Sequence, residues 1–568
     1  MSVSGYWELW PDIDELTRFE VVDSSERRRI LAQEEARLVE EAASISRRLH
    51  RIRSQQNDCI LVCTLPAEIL CLIFLSVRQA DGSVWDIIAI SQVCQRWREI
   101  ALGNSELWTH LTIRHGPFSL TLVERAAGRP LHLQEWHTSE QPPDWLTGWM
   151  KRVQTVDLEL SHQRMQKFSE YLALDAWDSL ESLSLAVEYD DLAVFTANFG
   201  FGGQVPPMLQ HLQLRHVGPS FWNGLMFGRN LRTLDLELDK QLMPNFAVFM
   251  RLLNNHPTLE ILKLTVFGRW PYPAITPAIP PSAATVTLET IRHIELQVER
   301  DMDSAALFRH LNIPLPSGKR FGFSLQVHTQ DYRSSESAGP LFSLPADSSN
   351  LAILETMTHA SLTQGCTVGT SWLIQLSAYD VDSESYVDIS GWLCNASQSA
   401  RAHSFRLNLI RFGTLFDRNH LTSLEIFVSP QLLLGITIDD WRGLFHSLRF
   451  LCTFKYKPFK YKPPLSIPPE DENQESNLQL QDHADPPAAA LSQCLSNLLT
   501  ALEVSGPDSL VAPSLTDLHL DQIPLPILAI VEDDIARCVQ NRREHGIYSF
   551  QLTVNGTVRP LDNPTAAL

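Results

Sequence analysis

Short apolar clusters with one internal spacing recur through the first half of the chain. In each cluster, one apolar residue is followed by others three and five positions later. The first residues of six such clusters are 27, 29, 22, 28 and 32 positions apart. The clusters are VQTVDLEL (from Val153), LESLSL (from Leu180), LQHLQL (from Leu209), LRTLDL (from Leu231), LEILKL (from Leu259) and IRHIEL (from Ile291). The spacing predicts a turn residue and then two inward residues of a short strand.

This spacing resembles that of leucine-rich repeats, in which a strand and a helical return form each unit. Such units cannot bury their apolar face alone, so stacked neighbours build a curved parallel sheet. We therefore expect an α/β fold: N-terminal helices followed by an irregular leucine-rich repeat solenoid. Period-two geometry points the residues between the inward positions toward the concave face, where a partner can bind. The predicted target-binding residues are Asp157, Glu159, Ser184, Gln213, Asp235, Lys263, Glu295 and His519.

The pattern blurs after Leu296 and returns in LTDLHL at 515–520. Partial matches lie between them: FSLQV (323–327), WLIQL (372–376), FRLNL (405–409) and LTSLEI (421–426). We interpret 114–560 as one degenerate repeat domain with insertions, and an unrelated inserted domain remains the alternative. The number of repeats between 300 and 510 stays open. Proline-rich stretches predict exposed loops at 269–285 and 462–490, the second of them disordered, and 561–568 forms a tail.

In the N-terminal part, apolar residues have a helical spacing in place of the repeat spacing. After an acidic and aromatic segment (1–25), residues 26–58 are rich in Arg, Glu, Ala and Gln and lack Gly and Pro, which predicts a continuous helix. Leu31, Leu38, Ile45 and Ile52 recur every seven residues, a spacing of coiled-coil type. Glu35 and Gln56 weaken the seam. A homodimer through residues 26–56 is left open, and the favoured alternative is that the helix packs against its own domain or simply acts as a spacer.

Between residues 59 and 113, two strongly apolar helical stripes follow this helix. Pro66 suits a first helical position, where its missing N–H is not needed. Ile69, Leu70, Ile73, Phe74 and Val77 then form a stripe too wide for a lone surface helix, so this helix should meet both its own domain and a partner. The second stripe runs from Ile87 through Val93, Cys94 and Trp97 to Ala101. Residue by residue, a plain three-helix core explains both stripes.

The order of residues in this segment nevertheless resembles the F-box family. The matching stretches are LPAEILCLIF from Leu65, VCQRWR from Val93 and the Leu107–Trp108 pair. The resemblance implies docking on a Skp-family adaptor, which joins a cullin scaffold and a RING subunit, while the rest of the chain binds a target for ubiquitination. The layout also looks like the large F-box families of fungi. By carry-over, the residues expected at the adaptor interface are Leu65, Pro66, Ile69, Leu70 and Ile73. Val93, Cys94 and Trp97 are expected to contribute to that interface or to the core beneath it.

Net charge and composition restrict which binding partners and cell compartments fit the sequence. A net charge of -20 over 568 residues disfavours broad attraction to nucleic acid or anionic membranes. The apolar window 59–77 contains Pro66 and Glu68 at its middle, so we predict a soluble helix and not a membrane span. The nine cysteines form no C-x-x-C pair, which favours reduced thiols in the cytoplasm or nucleus.

The sequence contains no recognisable catalytic motif. The chain contains no nucleophile elbow, P-loop, dinucleotide fingerprint or zinc-binding spacing. We therefore predict a non-catalytic adaptor without a cofactor or metal. The favoured hypothesis is a substrate receptor of a ubiquitin ligase. A repeat scaffold that is not coupled to a ligase is the second hypothesis, and an unrecognised enzyme is the third.

Overall fold

The chain divides into two compact units in the computed structural model. The first comprises Met1–Leu111 with Leu120–Arg129, and the second Thr112–Ser119 with Pro130–Leu568. The described residues are 24–81, 84–113, 117–136, 147–173, 177–187, 195–197, 201, 206–219, 229–239, 242–267, 285–298, 301–314, 320–329, 340–345, 347–366, 372–393, 398–416, 420–433, 435–458, 488–504 and 511–558. The predicted tail, and nearly all of the predicted N-terminal segment and proline-rich loops, lie outside them.

Helices make up most of the first unit and recur between the strands of the second. Their bounds are α1 (Ser24–Asp58), α2 (Ala67–Asp81), α3 (Val84–Val93), α4 (Gln95–Gly103), α5 (Pro117–Arg125), α6 (Thr147–Met150), α7 (His162–Leu172), α8 (Phe246–Asn254), α9 (Asp301–Arg309), α10 (Gln398–Leu415), α11 (Pro430–Leu433), α12 (Ile438–Ser447), α13 (Ala488–Leu502) and α14 (Leu525–Glu544). The continuous helix predicted at 26–58 is therefore present as α1. The predicted loop 462–490 is corrected at its end, because α13 begins at Ala488.

Among the described residues, seventeen strands form one sheet and two short pairs lie outside it. The strand bounds are β1 (His110–Ile113), β2 (Leu131–Trp136), β3 (Val153–Leu160), β4 (Ser182–Val187), β5 (Phe195–Ala197), β6 (His211–Arg215), β7 (Val217–Pro219), β8 (Thr233–Asp239), β9 (Ile261–Phe267), β10 (Val286–Thr287), β11 (His293–Val298), β12 (Leu311–Asn312), β13 (Gly322–Thr329), β14 (His359–Cys366), β15 (Trp372–Tyr379), β16 (Tyr386–Leu393), β17 (Ser423–Val428), β18 (Thr453–Pro458), β19 (Asp517–Leu520), β20 (Gln551–Val554) and β21 (Thr557–Val558). The short pairs are β5 with β7 and β10 with β12, both parallel.

The large sheet is mainly parallel, and most of its strands lie side by side in chain order. From β2 to β13 the order is β2-β3-β4-β6-β8-β9-β11-β13, with every pair parallel. From β14 onward, β17, β18, β19 and β20 again pair in parallel. This agrees with the predicted α/β class and its parallel sheet.

The six predicted clusters all fall on this sheet in register. Leu183, Leu212 and Leu234 stand opposite one another on β4, β6 and β8 and are fully buried. The turn residues that precede the strands, such as Leu209 and Leu259, are also fully buried. One backbone hydrogen bond recurs from unit to unit at this turn: for example, Arg232 N–H donates to the Gln210 carbonyl at 2.7 Å. The pattern thus specifies a repeated turn and strand.

The middle of the sheet departs from the predicted parallel order. Strands β14, β15 and β16 form an antiparallel meander, in which β16 pairs with β13 and β14 pairs with β17. Across the sheet, the meander strands therefore lie in the order β16-β15-β14, the reverse of their order in the chain. The parallel series resumes at β17, which pairs with β14.

The interpretation of FRLNL (405–409) as a strand is wrong, because it lies inside α10. The residues of α10 that are buried include Phe405, Asn408, Leu409 and Phe412, a helical spacing.

The described helices pack on one face of the sheet, and no described helix covers the other. The ring of Phe308 on α9 packs edge-on against Phe323 of β13, with 5.3 Å between centroids. On α12, Trp441 and Phe445 pack in the same way against Phe454 of β18. The side chains that alternate with these inward residues are half-buried or exposed. We call that side of strands β3 to β20 the open face.

Candidate docking surface and open sheet face

Helix α2 carries apolar side chains on two opposite sides. Leu70 and Phe74 are fully buried in the first unit, whereas Ile69, Leu72 and Ile73 are 42%, 60% and 39% exposed. Successive helical residues turn by about 100°, so the two groups fall on separate faces. One face of α2 therefore builds the core, and the other presents apolar surface to solvent.

The segment before α2 extends this exposed surface. Residues Leu61–Thr64 form a single 3-10 turn in which Cys63 is buried, whereas Leu61 is 85% exposed. Pro66 is exposed and Leu65 is half-buried. This segment is held by Arg96 of α4, whose guanidinium donates hydrogen bonds to the backbone carbonyl of Cys63 and, at 2.6 Å, to that of Leu65. The half-buried guanidinium of Arg96 thus clamps two backbone carbonyls and fixes the segment from the side of α4.

The α3–α4 junction completes the surface. Val93 ends α3 and is 57% exposed. Cys94 is the N-cap of α4, and its sulfur accepts a hydrogen bond from the Trp97 backbone N–H at 3.5 Å. The Trp97 ring packs against Phe74, with centroids 5.1 Å apart. Cys94 and Trp97 are half-buried, so they connect the exposed surface to the core.

Beneath this surface, the C-terminal part of the first unit is held together by contacts of Arg78, Trp108 and Arg125. Trp108 is fully buried, donates through Nε1 to the Ala101 carbonyl at 2.8 Å, and has the Arg125 guanidinium 4.6 Å above its ring. Arg78 of α2 donates to the Glu106 carbonyl and, at 3.1 Å, to Thr109 Oγ1. Burial lowers the pKa of Arg78, and the Glu106 charge opposes that shift. These contacts hold α2 in place and so fix which of its faces is exposed.

The eight predicted adaptor-binding residues therefore divide by position. Pro66, Ile69, Ile73 and Val93 lie on the surface, and Leu70 lies in the core, out of reach of a partner in this conformation. Leu65, Cys94 and Trp97 lie between the two. Sequence reasoning missed Leu72 and Arg96. Leu72 follows Ile69 by three positions, so the helical period could have found it, whereas nothing in the sequence marks Arg96 as a clamp.

The segment that carries this surface matches a known protein family. Residues 62–114 match the family model described as F-box-like. The segment is an F-box-like domain. F-box domains generally bind Skp-family adaptors, and the exposed apolar side of α2 lies inside the matched residues. The comparison with curated proteins finds no match for the chain.

On the open face, five of the eight predicted target-binding residues contact one another. Ser184 Oγ donates to Gln213 Oε1 at 3.2 Å, and Gln213 Nε2 donates to Asp235 Oδ2 at 3.0 Å. Lys263 and Glu295 form an ion pair at 3.0 Å. Burial raises the pKa of the Asp235 carboxyl, and the charges of Lys263 and Arg215 oppose that shift. These five side chains are thus largely satisfied by their neighbours.

Other predicted residues of the open face remain available. Asp157 and Glu159 on β3 are exposed, and within the described residues neither forms a hydrogen bond or an ion pair. His519 on β19 stands in register with Lys455 of β18. Of the eight predicted residues, those on β3 and β19 are therefore less engaged by neighbouring side chains than those on β4, β6, β8, β9 and β11.

A cavity of about 420 Å³ lies on the open face across β15, β14, β17 and β18. The rings of His359 and Tyr379 stack along it with centroids 5.0 Å apart. Glu425 and Lys455 stand side by side on its floor in register, yet no ion pair within 4.0 Å joins them in the described structure. Sequence reasoning missed this place, because β14 is rich in small and polar residues and does not have the apolar spacing of the repeats.

The described residues offer neither a metal site nor a membrane-spanning helix. Among those residues, no group of three or more His, Cys, Asp or Glu side chains could hold a metal ion. No described helix combines the length and the apolarity that crossing a bilayer requires.

The hydrogen bonds of Arg96 should contribute to adaptor binding by fixing the Leu65–Pro66 segment. We expect Arg96→Ala to weaken binding of a Skp-family adaptor about tenfold, because two charge-assisted hydrogen bonds that fix the Leu65–Pro66 segment are lost. Arg98→Ala is the matched control, since within the described residues Arg98 donates only to the carbonyl of Ser91 in α3 and forms no hydrogen bond with the Leu65–Pro66 segment. Calorimetric titration of the adaptor into each full-length variant measures the effect. Equal affinities for the two variants would show that the clamp does not position the docking segment.

Proposed function

We propose that the chain is the substrate-recognition subunit of a cullin-RING ubiquitin ligase. In this proposal the F-box-like domain docks on a Skp-family adaptor, and the large sheet binds a target protein. The observation that carries the proposal is the exposed apolar surface of α2 inside the matched residues. Ile69, Leu72 and Ile73 would be costly to leave in water, and such apolar anchors supply most of the energy of protein interfaces.

We infer that the second unit is a degenerate leucine-rich repeat array that presents the target-binding surface. The parallel order from β2 to β13, the buried turn leucines and the recurring turn hydrogen bond support this inference. The open face is long and uncovered by helices in the described part, as a surface for an extended partner should be. The target would contact polar side chains of this face that are not paired with their neighbours, at Asp157 and Glu159 and at the cavity beside Lys455.

The chain would contribute binding, and the other subunits would supply the transfer chemistry. The cysteines of the described residues are free thiols, which fits a reducing compartment, the cytoplasm or nucleus. A scaffold that never joins a ligase is the second candidate. It would use the same open face, so only the docking surface distinguishes the two.

Target trapping tests the proposal. The chain with Ile69→Asp and Ile73→Asp should lose the adaptor and yet capture several-fold more of its target than the native chain, because a captured target is no longer degraded. Blocking the proteasome should remove the difference. If the same proteins are recovered at equal abundance from both chains without proteasome inhibition, the chain does not deliver them to a ligase.

A further inference from the structure

Helix α1 exposes an apolar seam that runs from Leu31 to Ile52. It spans 35 residues, which is about 52 Å at the rise of an α-helix. Leu31, Leu38, Ile45 and Ile52 are 49%, 52%, 52% and 51% exposed. No described part of the chain covers the seam. A lone helix gains little stability from propensity alone, so a partner that covers the seam would stabilise it.

The spacing of the seam specifies an α-helical partner. The four residues that are seven apart occupy one core position of a heptad, and Glu35, Ala42, Leu49 and Gln56 occupy the other. In a parallel pair of identical helices, each residue of the seam faces its own copy. Glu35 would then meet Glu35 inside the interface, where two like charges repel. In an antiparallel pair centred between Ala42 and Ile45, Glu35 faces Ile52 and Leu38 faces Leu49.

The charges along α1 are divided in a way that also favours the antiparallel pair. Residues 34–41 contain four glutamates and one arginine, a net charge of -3, and residues 47–53 contain four arginines, a net charge of +4. Antiparallel pairing places each acidic stretch beside the basic stretch of the other helix. Parallel pairing places like stretches together.

One flanking pair distinguishes the two arrangements. In the antiparallel pair Glu41 lies beside Arg48 of the other copy, and symmetry makes this contact twice. In the parallel pair Arg48 would lie beside Arg53, and Glu41 beside Ser46. Within the described residues the carboxylate of Glu41 and the guanidinium of Arg48 form no hydrogen bond or ion pair. Both groups are therefore available to a second helix.

We propose that α1 is a homodimerisation helix that pairs with the α1 of a second copy in an antiparallel coiled coil. Ala42 faces Ile45, Leu38 faces Leu49, and Glu41 pairs with Arg48 across the interface. This inference does not rest on the proposed function, because the seam lies outside the F-box-like domain. A dimer would present two docking surfaces and two open faces in one particle.

Sedimentation equilibrium on the full-length chain tests the proposal. The native chain should dimerise with rising concentration. Glu41→Arg and Arg48→Glu should each weaken dimerisation about tenfold, because each turns two attractive contacts into two repulsive ones. The double variant, E41R with R48E, should restore the native affinity. Glu40→Arg is the matched control: it makes the same change of charge one position away, on the far side of the seam.

Each other outcome overturns the proposal. A chain that stays monomeric at its highest soluble concentration has no second copy on the seam. If R48E strengthens the dimer and E41R leaves it unchanged, the helices are parallel. A dimer that resists all three variants uses another surface. Circular dichroism of each variant confirms that α1 remains helical, so weaker dimerisation cannot be attributed to helix loss.

Discussion

Replacing Ile69 and Ile73 with aspartate should abolish binding of a Skp-family adaptor. The two side chains lie on the exposed side of α2, one helical turn apart, and are 42% and 39% exposed. Central apolar anchors of an interface contribute about 2 kcal/mol or more each, so their joint loss should lower the affinity about a thousandfold. The domain itself should stay folded, because neither side chain belongs to its core. Calorimetric titration measures the affinity, and circular dichroism the fold.

The same change at another exposed apolar pair serves as the control. Leu525 and Ile530 of α14 are 70% and 60% exposed and lie in the second unit. Their replacement with aspartate should leave adaptor binding unchanged. If the α2 variant binds as tightly as the native chain, the exposed side of α2 is not the docking surface.

Replacing Leu212 with alanine should destabilise the sheet by about 2 to 5 kcal/mol, through the cavity that it leaves. Leu212 is fully buried on β6, between Leu183 and Leu234 of the neighbouring strands. Its neighbour Gln213 points to the open face, so Gln213→Ala should cost less, about 1 to 2 kcal/mol, for the loss of its hydrogen bonds with Ser184 and Asp235. Urea denaturation, followed through the transition of the second unit, compares the two variants. Equal destabilisation would mean that the two faces of β6 are not divided as described.

The repeat spacing predicted the strands that obey it and failed where side chains are small or the window is short. The six clusters lie on β3, β4, β6, β8, β9 and β11, because an apolar residue at each inward position is what a covered sheet face requires. The meander β14–β16 was not predicted as such, since Ser, Thr and Gly at many of its positions carry little periodic signal. FRLNL fits both periods over five residues: Phe405 and Leu409 are consistent with a strand or a helix.

The docking surface was predictable in part for a similar reason. The width of the apolar stripe on α2 indicated that the helix meets both its own domain and a partner, and the exposed Ile69 and Ile73 agree with this. The assignment of individual residues depends on where the core lies around α2, which only tertiary packing sets. Leu70 therefore lies inside and Leu72 outside. On the open face, the sequence indicated that Gln213 and Asp235 point outward, but not that they bind each other across strands.

Adaptor docking is tested by titrating a purified Skp-family adaptor into the full-length chain. We expect one adaptor bound per chain, and no detectable heat of binding for the variant with Ile69→Asp and Ile73→Asp. Absence of binding by the folded native chain, or binding that the variant retains in full, would contradict this expectation.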